Sequence, residues 1–258
     1  MQRHSSLSAL ALASRAAWGD NRSVTFLSAE RGVFDAMLFG GQKSHLRALV
    51  SPWHTGTLWL YENAQADSLR SSKRHSPKIS DFDATLFRTG IRDSLYKIWA
   101  AWLASELAIC TNASGEYGAC WTLVNAFLDG IDAVSEAESR TALLRFLWRY
   151  LDLLGVRPNP DLCARCGGEM PSGGARYCSQ ENGFICGACG REDGGEEERF
   201  PLADESRAYL SAVSALPPKD SRRLALSAEA AGELRRCLFY LTERACGRKL
   251  KTLEGGIL

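Results

Sequence analysis

Apolar positions in the first third of the chain recur with a period of two. Leu7 to Ala13 forms a short alternating run that suits a first strand. "VTFLSAERGVFDAMLFGG" sets two apolar segments around Glu30-Arg31-Gly32, which is a hairpin signal. In "TGTLWLY" (Thr55 to Tyr61), Leu58 and Leu60 take one face and Thr57, Trp59 and Tyr61 the other. "GGQKSHLRALVSPW" reads as a loop with a helical turn, and a last strand is expected near Ile79. About five short strands in about 80 residues point to a small closed barrel, with the OB type as a candidate. Loops are expected at Gly19–Arg22 and Gly40–Arg47 and across the polar stretch 63–80.

From residue 85 the period becomes helical. Leu95, Ile98, Trp99, Trp102, Leu103 and Leu107 share a spacing, as do Leu123, Phe127 and Ile131. Ser135 and Glu138 form a capping box for a third helix, which carries Leu143, Leu147 and Leu151 and stops at Gly155 before "RPNP". The aromatic stripe Trp99, Trp102, Trp121 and Trp148 is expected to be core. Two further helices are expected at 204–216 and 227–248, and the acidic "REDGGEEER" before them as a solvated loop. The predicted fold class is therefore α+β multidomain. It has a barrel at 1–83, helices at 84–160 and 201–258, and a cysteine-rich segment at 161–200.

That segment, "CARCGGEMPSGGARYCSQENGFICGACG", carries the clearest chemistry. Cys163, Cys166, Cys186 and Cys189 form two Cys-x-x-Cys pairs separated by nineteen residues. Two residues between thiolates let one tight turn aim both sulfurs at a single ion, and a second turn completes a tetrahedron with Zn–S near 2.3 Å. A disulfide knot suits an oxidising compartment, and Cys110, Cys120, Cys237 and Cys246 sit instead in apolar helical patterns, as core thiols do. A redox dithiol uses one pair at a helix start. The reading is a closed, structural zinc site with no metal catalysis, and with Cys178 left over.

Composition narrows the function without deciding it. Net charge is +1 overall, yet residues 1–80 and 207–258 each carry ten basic and five acidic residues, a local charge of +5. Loop cations Lys43, Arg47, Lys73 and Arg74 with exposed aromatics are what single-strand binding needs; the same excess also serves plain solubility. The four histidines make no ligand pair, and GxSxG, GxxxxGK[ST] and HExxH are all missing. No apolar run nears the roughly 20 residues of a membrane span. Arg3 and His4 ahead of the first apolar run only faintly resemble a leader, so the expectation is a cytoplasmic protein that is not an enzyme. Two other classes remain open. One is a nucleic-acid-modifying enzyme with an ancillary zinc ribbon; the other is a barrel that binds protein.

The order of parts resembles the RecO family of bacterial recombination mediators. "SRAAWGDNRSVTFLSAERGVF" is similar to the family's first barrel hairpin, and "GGQKSHLRALVSPW" to its next segment. "LLRFLWRYLDLLGVRPNPDLCARCG" and "NGFICGACG" match its helix into the two knuckles. "RKLKTLEGGIL" resembles its C-terminal Arg-x-Leu-Lys-Ser element, with Thr252 in place of serine. The departures are the basic 68–80 and the acidic exit from the zinc segment. The resemblance implies an OB barrel, a helical domain and a zinc insert. It also implies binding of single- and double-stranded DNA, annealing of complementary strands, and recombinase loading with RecR onto gaps coated by single-strand-binding protein. Carried over by position, Arg15, Arg22, Lys43 and Arg47 are DNA candidates, with Arg222 and Arg223 beside them. A groove in the helices, apolar with a basic rim, would take the acidic tail of the single-strand-binding protein.

Overall fold

The computed structural model describes residues 2–40, 44–63, 76–191 and 200–258. The chain divides into two compact units, Met1–Glu136 with Leu250–Leu258, and Ala137–Lys249.

The first unit is built on a closed barrel. Its strands are β1 (Gln2–Ala16), β2 (Arg22–Ser28), β3 (Gly32–Leu38), β4 (Thr55–Asn63) and β5 (Lys78–Leu86), ordered β1-β2-β3-β5-β4. All neighbours are antiparallel except β3 and β5. Alternation decides which side chains go inside: Ala9, Ala11, Val24, Phe26, Ala36, Leu38, Leu58, Leu60, Ile79 and Phe82 fill the barrel. A bulge between Ala11 and Ala13 lets the long β1 bend from β4 onto β2. The turn at Gly32 needs glycine twice over. Its φ is +70°, and a Cβ there would lie 2.6 Å from the ring of Tyr117. The expected helical turn is α1 (Leu46–Leu49).

Helices α2 (Leu95–Cys110) and α3 (Tyr117–Ala133) pack on the barrel within this unit. Ser94 caps α2 by accepting from the Lys97 N–H. Arg88 ties the layers together. Its side chain is only 2% exposed. It donates to Trp53 O (2.6 Å) and Thr55 Oγ1 (2.8 Å) on the barrel side, and to Asn125 Oδ1 (2.8 Å) and Asp129 Oδ1 (2.7 Å) on α3. Its backbone is left-handed, at φ +46°. Such strain costs about 1–2 kcal/mol in a residue that carries a Cβ, and four charge-assisted bonds offset it.

The chain's last residues return to this unit. Glu106 on α2 receives the N–H of Lys251 and of Thr252, both at 3.1 Å, and the Thr252 hydroxyl at 2.8 Å. That carboxylate caps the short α9 (Lys251–Glu254), which is why a hydroxyl residue stands at position 252.

The second unit joins α4 (Glu136–Leu153), α6 (Asp204–Ala215), α7 (Pro218–Ser221) and α8 (Ala228–Cys246) to a small sheet. The sheet has strands β6 (Ala175–Cys178), β7 (Gly183–Cys186) and β8 (Phe200–Leu202), in the order β7-β6-β8, with α5 (Gly187–Arg191) after β7. Aromatic rings bind sheet to helices. Trp148–Phe184, Phe184–Tyr177, Tyr177–Tyr240 and Tyr240–Phe200 have centroids 4.7 to 6.4 Å apart. Trp148 is fully buried and donates to Leu210 O (3.1 Å) and Ser214 Oγ (2.9 Å).

The expected tryptophan core is only partly realised. Trp148 is core; Trp99, Trp102 and Trp121 are half-buried. Leu95, counted in the helical stripe, is 60% exposed. Residues 192–199 of the run "REDGGEEER" and 64–75 of the polar stretch after β4 lie outside the described residues, and the end of that stretch enters β5 at Lys78.

Replacing Arg88 with Met strands the oxygens of Asn125, Thr55 and Trp53 around an apolar chain. Chemical denaturation is expected to show a loss of about 3 kcal/mol, the scale for breaking a buried charge network. A loss under about 1 kcal/mol, the value of a surface pair, would reject the latch.

Candidate metal centre and nucleic-acid face

Two turns bring four sulfurs together. In the first, Cys163 N–H donates to Gly168 O (2.9 Å) and Gly167 N–H donates back to Cys163 O (2.9 Å), the compact knuckle that Cys-x-x-Cys-Gly predicts. The second follows β7, with Cys186 ending the strand and Cys189 in α5. Ala164 N–H donates to Phe184 O at 2.7 Å, locking turn to strand. A Cβ at Gly183 would lie 2.5 Å from the Cβ of Ala164, so that approach requires glycine. Arg165 spans the two knuckles, reaching Glu181 at 2.9 Å and Cys189 O at 2.8 Å.

The Sγ atoms of Cys163, Cys166, Cys186 and Cys189 all lie within 4.8 Å of one another. A tetrahedron with metal–sulfur bonds near 2.3 Å places sulfurs about 3.8 Å apart, so a small contraction closes the site. Protonation behaviour agrees with that fit. Burial works against charge on Cys163, yet the N–H groups of Cys166, Cys186 and Arg165 bring its thiol down to about 6. The Cys189 thiol is pushed up to about 12, first by its hydrogen bond with Cys186 and then by burial. Cys163 takes charge readily and Cys189 resists it, a resistance that a cation between the sulfurs would remove. The cluster can hold one metal ion. Cys178 is buried on β6 and outside the cluster. Of the other four thiols, Cys120 and Cys237 are buried and Cys110 and Cys246 half-buried.

The cations divide into groups that the sequence does not separate. Strand register links Arg15 to Ser23, Ser23 to Met37, Met37 to Lys78 and Lys78 to Tyr61. Directly paired residues share a face, so these form one band across β1, β2, β3, β5 and β4 on the outer surface. Arg15 is bonded to Asp35 at 2.6 Å, and Thr25 holds the other carboxylate oxygen at 2.5 Å. Its charge is therefore largely matched within the protein. Arg22 is one residue out of step; it pairs with Ala16 and with the core residue Leu38, and so belongs to the barrel's inner rim. Arg47 on α1 has a buried Nη1 with no hydrogen-bond partner among the described residues. Arg222 and Arg223 are exposed just after α7. Lys43, Lys73 and Arg74 lie outside the described residues.

Sequence reasoning passed over three residues here. Trp18, at the tip of the β1–β2 turn, is 87% exposed. Phe39, just past β3, is 42% exposed, and the Lys78 ammonium stands 5.5 Å from its ring centroid. An aromatic set in a turn pattern such as Trp18-Gly19-Asp20-Asn21 was the available signal. The first unit also holds an apolar groove of about 580 Å³, floored by Ile98, Trp99, Trp102 and Ile109 and edged by Lys251. Those tryptophans line a surface instead of filling an interior.

The chain thus has a cation-bearing barrel in one unit and, in the other, helices with a four-thiol cluster that can hold a metal ion. The family description "Recombination protein O C terminal" matches residues 94–254. The DNA repair protein RecO of Anaeromyxobacter dehalogenans (strain 2CP-C) is 30% identical over 234 residues, 89% of this chain and 87% of that protein. The DNA repair protein RecO of Rubrobacter xylanophilus is 30% identical over 155 residues, 59% of this chain and 54% of that one. The chain belongs to the RecO family of DNA repair proteins. Among the described residues no helix is long and apolar enough to cross a membrane.

Cys163→Ser is expected to abolish the bound metal, about one ion per chain in the parent, and to lower the melting temperature. Cys178→Ser should leave the stoichiometry unchanged. Elemental analysis checks both, and an undiminished metal content in the Cys163 variant would reject the ligand set.

Proposed function

We propose that this chain is a cytoplasmic DNA-binding mediator whose barrel, of the OB type, anneals complementary strands. With RecR it helps to load recombinase onto gaps coated by single-strand-binding protein. The strand order β1-β2-β3-β5-β4, closed by the parallel β3–β5 pair, supports the OB assignment. Such barrels bind oligonucleotides over the outer face of β2 and β3 and the loops beside it. The observation that carries the reading is the band Arg15–Ser23–Met37–Lys78–Tyr61, which crosses that face beside the exposed rings of Trp18 and Phe39.

Annealing needs no covalent step, and the chemistry of this face suits it. Cations shield one phosphate backbone from another, and open strands are held with bases free to pair. Lys78 is an exposed cation on the band, and Arg47 is a half-buried cation on α1, four residues after Lys43. Lys73, Arg74, Arg222 and Arg223 are further phosphate contacts in this reading, whereas Arg22 turns to the inner rim and Arg15 chiefly orders the face through Asp35. Zinc is the metal that four thiolates and a closed, non-catalytic site fit best. Its ligands brace the hairpin β6–β7 and take no part in DNA chemistry. The groove over Trp99 and Trp102, apolar with Lys251 on its rim, has the character to take the acidic, apolar tail of the single-strand-binding protein.

Stopped-flow mixing of two complementary labelled strands is the test. The protein should accelerate pairing without any nucleotide, and the Arg47→Ala, Lys78→Ala double variant should bind single strands more weakly. Its log K against log salt should flatten by about 0.7 for each phosphate left without its cation. No acceleration by the parent protein, or an unaltered salt slope in the variant, counts against the proposal.

A further inference from the structure

The β1–β2 turn holds an indole in solvent on a well-braced support. Ala17 N–H donates to Asn21 O at 2.9 Å, and the Asn21 side-chain amide donates to Trp18 O, also at 2.9 Å. Gly19 supplies the positive φ, +65°, that closes the turn. Trp18 is the most exposed large apolar side chain among the described residues. It is 87% exposed, and the bonds around it fix its backbone at the edge of the cation-bearing band.

The surroundings name the partner. Phe39 leaves β3, two strands away, and strand spacing makes that roughly 10 Å, the length of about three stacked bases. Lys78 sits over Phe39 and on the band itself. Arg15, the nearest band cation in sequence, is already neutralised by Asp35, so net charge on this edge is modest. A ligand held here must draw much of its affinity from ring stacking, with phosphate attraction second. A single-stranded nucleic acid offers both, and a duplex, whose bases are already stacked inside, offers only phosphates.

Resting on the DNA-binding reading above, we infer that Trp18 is a base-stacking platform through which the barrel distinguishes an unpaired strand from a duplex. The platform adds affinity for the two separate strands and none for their product. Pairing therefore weakens the hold on the DNA and lets the annealed duplex leave.

Fluorescence anisotropy with three ligands of one length tests this: an oligothymidylate, an abasic strand with the same phosphates, and a duplex. Trp18→Ala should weaken oligothymidylate binding about thirtyfold, the middle of the range for removing one base–ring stack. Binding to the abasic strand and the duplex should change by less than about twofold and the salt slope not at all, because stacking releases no counterions. Trp18→Phe should recover most of the loss. The melting temperature should not move, since the ring is outside any core. Equal oligothymidylate binding by Trp18→Ala and parent would overturn the inference while leaving DNA binding intact. An equal loss on all three ligands would also overturn it, by making Trp18 a general contact. If the parent binds none of the three ligands, the DNA-binding reading itself fails.

Discussion

A single buried guanidinium holds the barrel to the helices that cover it. Arg88 leaves the last strand in a left-handed conformation and spends its donors on oxygens from both sides of the seam. A buried positive charge is tolerated only when fully hydrogen-bonded, so this contact is all or nothing. It fixes where β4 begins, through Trp53 and Thr55, and where α3 lies, through Asn125 and Asp129. The outer band on β1, β2, β3 and β5 inherits its geometry from that closure, because strand register carries position around a closed sheet. The Glu106 cap on Lys251 and Thr252 does the same for the chain's end. The second unit meets a comparable demand with four sulfurs and a row of aromatic rings in place of an arginine.

The two units thus hold different kinds of chemistry. In the first, cations and exposed rings lie on a β surface, the combination on which the proposed single-strand binding rests. In the second, thiolates ask for a metal ion, and knuckles, glycines and Arg165 are arranged about them as a brace. Membership of a DNA repair family joins these observations without being needed to see either.

Much of this was legible in the chain itself. Leu58 and Leu60 against Thr57, Trp59 and Tyr61 disclosed a strand and which of its faces is inside. The doubled Cys-x-x-Cys picked out the four sulfurs that the fold brings together, since short local turns obey short local patterns. What stayed hidden depends on partners far away in sequence. Asp35 stands twenty positions from Arg15, and only barrel register shows that they face each other. Arg22 sounds like Arg15 in a charge count, but one step of a strand turns it to the other face. A helical stripe of tryptophans looks the same whether it meets a core or a groove, which is why Trp99 and Trp102 read as interior. The strands β6 to β8, three or four residues long, are below the length at which alternation can be seen.

The claim on which everything converges is that the barrel's outer face, not the thiol cluster, receives the nucleic acid. Amide hydrogen exchange with and without a single-stranded oligonucleotide measures it directly. The account predicts slowed exchange in peptides covering 15–25 and 34–39 and in the start of β5, with 163–191 unchanged. Protection confined to 163–191, with the barrel strands exchanging as before, would contradict it.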